Sequence, residues 1–258
     1  MLNFDTYGAG EPSLMIVHGL YGSARNWGVI SRRLSEDRRV IAVDQRNHGE
    51  SPWYDAHTYH DMAQDLAQVI EAEMPDGAIV LGHSMGGKAA MVLALTRPEL
   101  AKGLVVADIA PVTYTHSQIQ FVEAMQALDL SQVSTRGDAN RLMQETVPDD
   151  GVRAFLLQSL DVKERRWRLN LDVLAKEMAT VTGWPEAEMQ GRTYAGPAVF
   201  ISGANSDYVS PEGRDAAKAH FPTAKFFKIP GAGHWLHAEK PREFEAAVKT
   251  WIDAQAFS

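Results

Sequence analysis

The chain has no cysteine, which removes disulfide frameworks, thiolate nucleophiles and thiolate metal sites at one stroke. It also lacks long apolar runs. None approaches the roughly 18 residues that a membrane-spanning helix needs. An excess of basic charge is missing as well: the formal net charge is −8, whereas a general nucleic-acid binder needs a basic face for phosphates. Met1-Leu2-Asn3-Phe4-Asp5 has neither a basic nor an apolar leader pattern. These absences predict a protein without nucleic-acid partner or membrane span, located in the cytoplasm; a monomer or small homo-oligomer is the expectation, which the sequence does not narrow further. A length of 258 residues allows one domain with an insertion, burying about 70–75% of its unfolded surface.

The most informative stretch is Gly82-His83-Ser84-Met85-Gly86-Gly87, between the apolar run Ala78-Ile79-Val80-Leu81 and the helix-prone Lys88–Leu95. Strand, sharp turn and helix with a serine at the apex is the context of a G-x-S-x-G nucleophile elbow. A strained backbone at the serine requires small residues two positions before and after it, and Gly82 and Gly86 supply that room. The turn presents the Met85 N–H to a developing oxyanion, beside the positive end of the helix that follows.

Around this element, Ser13–Val17, Val40–Val43, Ala78–Leu81 and Gly103–Ala107 read as buried strands with helices between them. That rhythm predicts an α/β fold with a mostly parallel central sheet and helices on both faces. Leu2–Tyr7 reads as a further strand, and Gly8-Ala9-Gly10 as a hairpin signal. After Ser13–Val17 comes His18-Gly19-Leu20-Tyr21-Gly22-Ser23, where α/β hydrolases carry a second oxyanion N–H; by position the donor is Leu20. Tyr59–Glu73 is an amphipathic helix with Thr58 at its cap. That cap explains His57, His60 and Asp61 better than a metal site does, and no cofactor is implied. Asp44-Gln45-Arg46-Asn47-His48-Gly49-Glu50-Ser51 reads as a polar loop that braces its neighbours.

From Val112 to Gly191 the strand rhythm stops. Helical stretches over 117–130, 138–147, 150–160 and 170–181 predict an all-helical cap at 113–190, with the core at 1–112 and 191–258. Phe121, Met125, Leu128, Phe155, Leu156, Leu174, Met178 and Trp184 are candidates for an acyl pocket, though most such residues hold a cap together. Lys163, Arg165, Arg166 and Arg168 form a basic cluster, read as a solvated face. Ala198–Ile201 and Lys225–Ile229 resume the sheet.

A serine nucleophile needs an adjacent base. His234, in Gly231-Ala232-Gly233-His234-Trp235 after the last strand, satisfies the order Ser, acid, His; His237 is the competitor. For the acid there are two candidates. The usual position, three after Gly203, holds Ser206, with Asp207 one residue late, whereas Asp108 ends the preceding strand; Asp108 is favoured.

Asp44–Ser51, Gly82–Lys88, Ala107-Asp108-Ile109-Ala110-Pro111, Gly203–Ser206 and Ala232–Pro241, with Trp167-Arg168-Leu169-Asn170-Leu171 in the cap, together resemble the YbfF-type esterases, bacterial α/β hydrolases with mitochondrial relatives. The resemblance implies a serine carboxylesterase acting on a small-molecule ester or acyl thioester without a cofactor. It implies Ser84, His234 and Asp108 as catalytic residues and Leu20 and Met85 as the oxyanion hole. A carbon–carbon bond hydrolase or perhydrolase on the same residues, or a non-catalytic ligand-binding module, is the alternative.

Overall fold

A computed structural model describes residues 1–255 and residue 257. Among these residues seven strands form one sheet: β1 (Phe4–Tyr7), β2 (Leu14–Val17), β3 (Val40–Val43), β4 (Ala78–His83), β5 (Ala101–Ala107), β8 (Ala198–Gly203) and β9 (Lys225–Ile229). Their order is β1-β3-β2-β4-β5-β8-β9, all parallel except β1 against β3. The sheet is mostly parallel, as predicted. The hairpin reading of Gly8–Gly10 is wrong, because β2 already has β3 and β4 on its two edges. β1 pairs antiparallel with β3 instead, Phe4 opposite Val43. The glycine turn is real, with φ of 61° at Gly8, and it packs against the Ser35 and Arg38 carbonyls.

The inner strands read as continuous apolar runs because both faces of the sheet are covered. Alternate residues divide between two clusters. Met15, Val17, Ile41, Val80 and Val106 face α2 (Tyr59–Glu73) and α3 (Met85–Thr96). Leu14, Ile16, Val40, Leu81 and Val105 face α1 (Gly28–Leu34) and the last helix, α12 (Pro241–Asp253). Thr58 caps α2 as expected, accepting from the Asp61 N–H while the Asp61 carboxylate reaches back to Thr58. Asp61 is thereby engaged as a cap.

Between β5 and β8 run α4 (Ile119–Ala127), α5 (Arg136–Leu142), α6 (Asp150–Leu156), α7 (Leu171–Lys176), α8 (Met178–Thr182) and α9 (Glu186–Met189). The segment is not all helical. A short hairpin, β6 (Leu160–Asp161) with β7 (Arg166–Trp167), turns through Arg165. The helices are shorter than predicted, and the stretch 170–181 divides into α7 and α8. The segment has its own cluster, with Met125, Leu156, Trp167, Leu169 and Leu174 at its centre. Val181, Trp184 and Met189 instead join the core cluster under the sheet. The remaining helices are α10 (Pro211–His220) and α11 (Leu236–Glu239).

Candidate active site

Ser84 stands between β4 and α3 with φ 52° and ψ −121°, a conformation that non-glycine residues avoid. What holds it there is close packing. A Cβ on Gly82 would run into the Gly86 carbonyl, and a Cβ on Gly86 into the carbonyls of Val17 and His18. The Ser84 N–H donates to the Ala107 carbonyl at 3.0 Å, tying the turn to the end of β5.

His234 comes from the loop between β9 and α11. Its Nε2 lies 3.1 Å from Ser84 Oγ and its Nδ1 lies 2.8 Å from Asp108 Oδ2. Asp108 follows β5 with φ 51° and is fully buried. Its Oδ1 accepts from the Gly203 N–H at 2.9 Å, and its Oδ2 also accepts the Ser206 hydroxyl. The favoured acid is thus the one that meets the imidazole. Asp207 is exposed and has no bond to His234. Ser206, in the position where an acid was looked for, supports the acid from the neighbouring strand end; the serine in that slot was the sequence signal for it. His237 does not reach Ser84. Its ring stacks on Trp27 at 4.2 Å and 9°, and burial pushes it down to about 3. Tyr208, missed in the sequence, lies nearly parallel over His234, ring centres 3.9 Å apart.

Leu20 and Met85 line the same cavity as Ser84. The Met85 N–H opens α3 and so has no intrahelical carbonyl to pair with. Gly19 brings the other loop close: a Cβ added there would stand 3.2 Å from Ser84 Cβ. The cavity is about 280 Å³. Of the eight candidate pocket residues, Phe121, Phe155 and Leu156 line it. Met125, Leu128, Leu174 and Met178 belong to the helical segment's own packing, and Trp184 to the core. Lys88, one helical turn after Ser84, also lines the cavity. It is 1% exposed, donates to the carbonyls of Thr182 and Gly183, and lies 4.7 Å from the Tyr114 ring. Burial lowers its ammonium to about 7.

The polar loop braces its surroundings, as read. Asp44 accepts the N–H groups of Ala24 and Glu50, and Arg46 makes two bonds to Asp65 of α2, at 2.6 and 3.0 Å. Of the basic cluster, Arg168 pairs with Glu50 and Asp161. His57 and His60 gather no metal-binding cluster, and none of three or more His, Asp or Glu exists among the described residues. No helix among them is long and apolar enough to cross a membrane.

The sequence pattern that defines the α/β-hydrolase fold matches residues 12–241. The chain belongs to the α/β-hydrolase family. It is 40% identical to the esterase YbfF of Escherichia coli (strain K12) over 243 residues, 93% of this chain and 92% of that one. To the sn-1-specific diacylglycerol lipase ABHD11 of Mus musculus it is 38% identical, over 93% of this chain and 81% of the lipase. A solved marine microorganism esterase superposes with a TM-score of 0.91 at 35% identity, covering 97% of this α/β hydrolase and 98% of the esterase. The resemblance to YbfF-type esterases therefore extends through the helical segment, the part where the sequence motifs were sparsest.

Proposed function

We propose that this α/β hydrolase is a carboxylesterase that cleaves small-molecule esters, and acyl thioesters by the same steps, through an acyl-enzyme on Ser84. Ser84 Oγ attacks the acyl carbon while His234 Nε2 takes its proton. Asp108 holds the imidazole and stabilises the imidazolium that forms. The C–O bond to the alcohol then breaks, and His234 returns the proton to the leaving oxygen. Water, deprotonated by His234, attacks the acyl carbon; the acid departs and Ser84 recovers its proton. The N–H groups of Leu20 and Met85 are the proposed oxyanion donors, each such donor being worth about 10²–10³ in rate. Residues 113–190 act as a cap whose Phe121, Phe155 and Leu156 receive the acyl chain. No cofactor enters these steps.

The observation that carries this reading is the continuous chain from Ser84 Oγ through His234 to Asp108, at 3.1 and 2.8 Å, beside a largely apolar cavity. The esterase and lipase names of its relatives point the same way. Ser84→Ala is the test, with p-nitrophenyl butyrate as substrate. Activity should fall at least 10³-fold with an unchanged melting temperature; a variant that keeps most of its activity would remove Ser84 from the mechanism.

A further inference from the structure

Three buried histidines, His18, His48 and His57, stand in succession against Gly19, Tyr21 and Met85 and take no part in the steps above. Their ring centres are 5.1 and 5.5 Å apart in succession. Each one's tautomer can be read from its partners. The Gln45 N–H donates to His18 Nε2 at 2.9 Å, so the proton of His18 is on Nδ1, which donates to the Gly19 carbonyl at 2.8 Å. The Tyr21 N–H donates to His48 Nε2 at 3.2 Å, and Nδ1–H of His48 donates to the Arg46 carbonyl at 2.9 Å. Asn47 donates to His57 Nδ1, leaving Nε2–H directed at the Met85 sulfur, 3.4 Å away.

The consequence lies in the peptide planes. A trans peptide points its C=O and N–H in opposite directions. The Gly19 carbonyl is pulled by His18 Nδ1–H and also by the Gly22 N–H at 3.0 Å. The Leu20 N–H of that same peptide is therefore turned the opposite way. The next peptide, Leu20–Tyr21, is held by His48 through the Tyr21 N–H, with Tyr21 in the left-handed region at φ 64°, which a residue with a Cβ adopts only when held.

We propose that His18 and His48 are positioning residues: as neutral Nδ1–H imidazoles they fix the two peptides around Leu20 and so aim its N–H at an oxyanion on Ser84. Burial disfavours the imidazolium in both, which keeps Nε2 free to accept. The inference rests on the proposed role of Leu20, and the experiment separates the two.

His48→Leu removes the acceptor, whereas in His48→Gln the amide oxygen can reach the place of Nε2. Each variant is assayed on p-nitrophenyl butyrate and titrated with butylboronic acid, whose tetrahedral adduct on the serine mimics the oxyanion. In His48→Leu, kcat should fall about 10–100-fold, short of the loss of a whole donor. KM should stay within about threefold, and boronate affinity should fall by the same factor as kcat. In His48→Gln, both should return to within about fivefold of the wild type. A rise in KM alone, a fall in kcat that leaves boronate affinity unmoved, or equal loss in Gln and Leu overturns the proposal. If His48→Leu does not fold, His48→Asn replaces it, since its amide reaches only the place of Nδ1. Activity kept by Gln and lost by Asn supports the clamp, and equal activity refutes it. A wild type that neither hydrolyses the ester nor binds the boronate would overturn the esterase reading itself; an active wild type with an indifferent His48→Leu would overturn the clamp alone.

Discussion

Asp108→Asn separates the two acid candidates, and the structure gives the direction of its effect. Asp108 presents one oxygen to the Gly203 N–H at 2.9 Å and the other to His234 Nδ1 at 2.8 Å and to the Ser206 hydroxyl. An asparagine must choose which group faces which partner. With its NH₂ towards Gly203, two N–H donors would meet in a fully buried place, leaving both unpaired at a cost of about 1–3 kcal/mol each. The oxygen therefore keeps Gly203, and the NH₂ turns to His234. Ser206 adapts, because a hydroxyl can accept as well as donate. His234 cannot adapt without penalty. Facing a donor, its Nδ1 must be the acceptor, so its proton moves to Nε2, the atom proposed to take the proton from Ser84. The imidazolium also loses its counter-charge. The expected loss is about 10⁴ in kcat, or about 5.4 kcal/mol at 1.36 kcal/mol per decade, with KM little changed and the melting temperature within a few degrees of the wild type. Asp207→Asn, exposed and unbonded to His234, should stay within about twofold. The assay is initial-rate hydrolysis of p-nitrophenyl butyrate by both variants at one pH. An Asp108→Asn variant that keeps a tenth of the wild-type rate would refute the tautomer argument, and a collapse confined to Asp207→Asn would move the acid to the later loop.

Three further outcomes follow from two buried charges and one residue lining the cavity. Lys88, lowered by burial to about 7 from 10.5, is protonated more readily in the unfolded chain than in the folded one. Stability must therefore rise with pH between those values, and urea titrations at pH 7 and 9 should show the wild type gaining about 2 kcal/mol relative to Lys88→Met; a constant difference would refute the shift. Arg46→Met leaves the Asp65 carboxylate buried without its two-bond partner, a loss of about 3–5 kcal/mol, or roughly 10 °C in melting temperature at this chain length by thermal denaturation. Phe155 lines the cavity against Trp235, so Phe155→Ala should raise kcat/KM for p-nitrophenyl octanoate several-fold relative to the butyrate; an unchanged ratio would place the acyl chain elsewhere.

The parts of the site that the sequence displayed are those built from neighbours in the chain. Gly82, Ser84 and Gly86 constrain one another within a single turn, so their spacing, set between a strand run and a helix run that adjoin it in the chain, predicts the elbow. His234 is marked by its place after the last strand. The acid was ambiguous because Asp108 and Asp207 follow adjacent strands, and only the path of the chain after β5 decides which one faces the imidazole. The pocket was less legible for a different reason. Phe155 against the cavity and Met125 in the packing of the helical segment carry the same apolar signal, since periodicity reports that a side chain is covered and not what covers it. The Gly8–Gly10 turn misled similarly. It specifies that the chain reverses, while the pairing of β1 depends on which sheet edge is open.

Asp44–Ser51, one of the motifs that carry the family resemblance, brings no atom to Ser84 or His234, and its contacts show what it does instead. Its side chains and backbone meet three separate structures. Arg46 reaches α2 through Asp65, and His48 reaches the Leu20–Tyr21 peptide. Asn47, Gly49 and Glu50 meet Asn170 and Arg168 of the helical segment, Asn170 N–H to Asn47 carbonyl at 3.0 Å and Gly49 N–H to Arg168 carbonyl at 2.8 Å. Trp167–Leu171, the one motif recognised in that segment, is the strip that lies against this loop. The two motifs are thus halves of one interface, and Ser159 closes it by donating to the Tyr21 carbonyl at 2.9 Å. Tyr21 is thus held on both sides, its N–H from the core side by His48 and its carbonyl from the helical side by Ser159, and can shift only if both sides shift with it. The loop therefore ties the position of the helical segment over the cavity to the alignment of the Leu20 peptide. Arg46, His48 and the stretch from Asn47 to Glu50 thus answer to partners in different elements, although none of them bonds to Ser84 or His234.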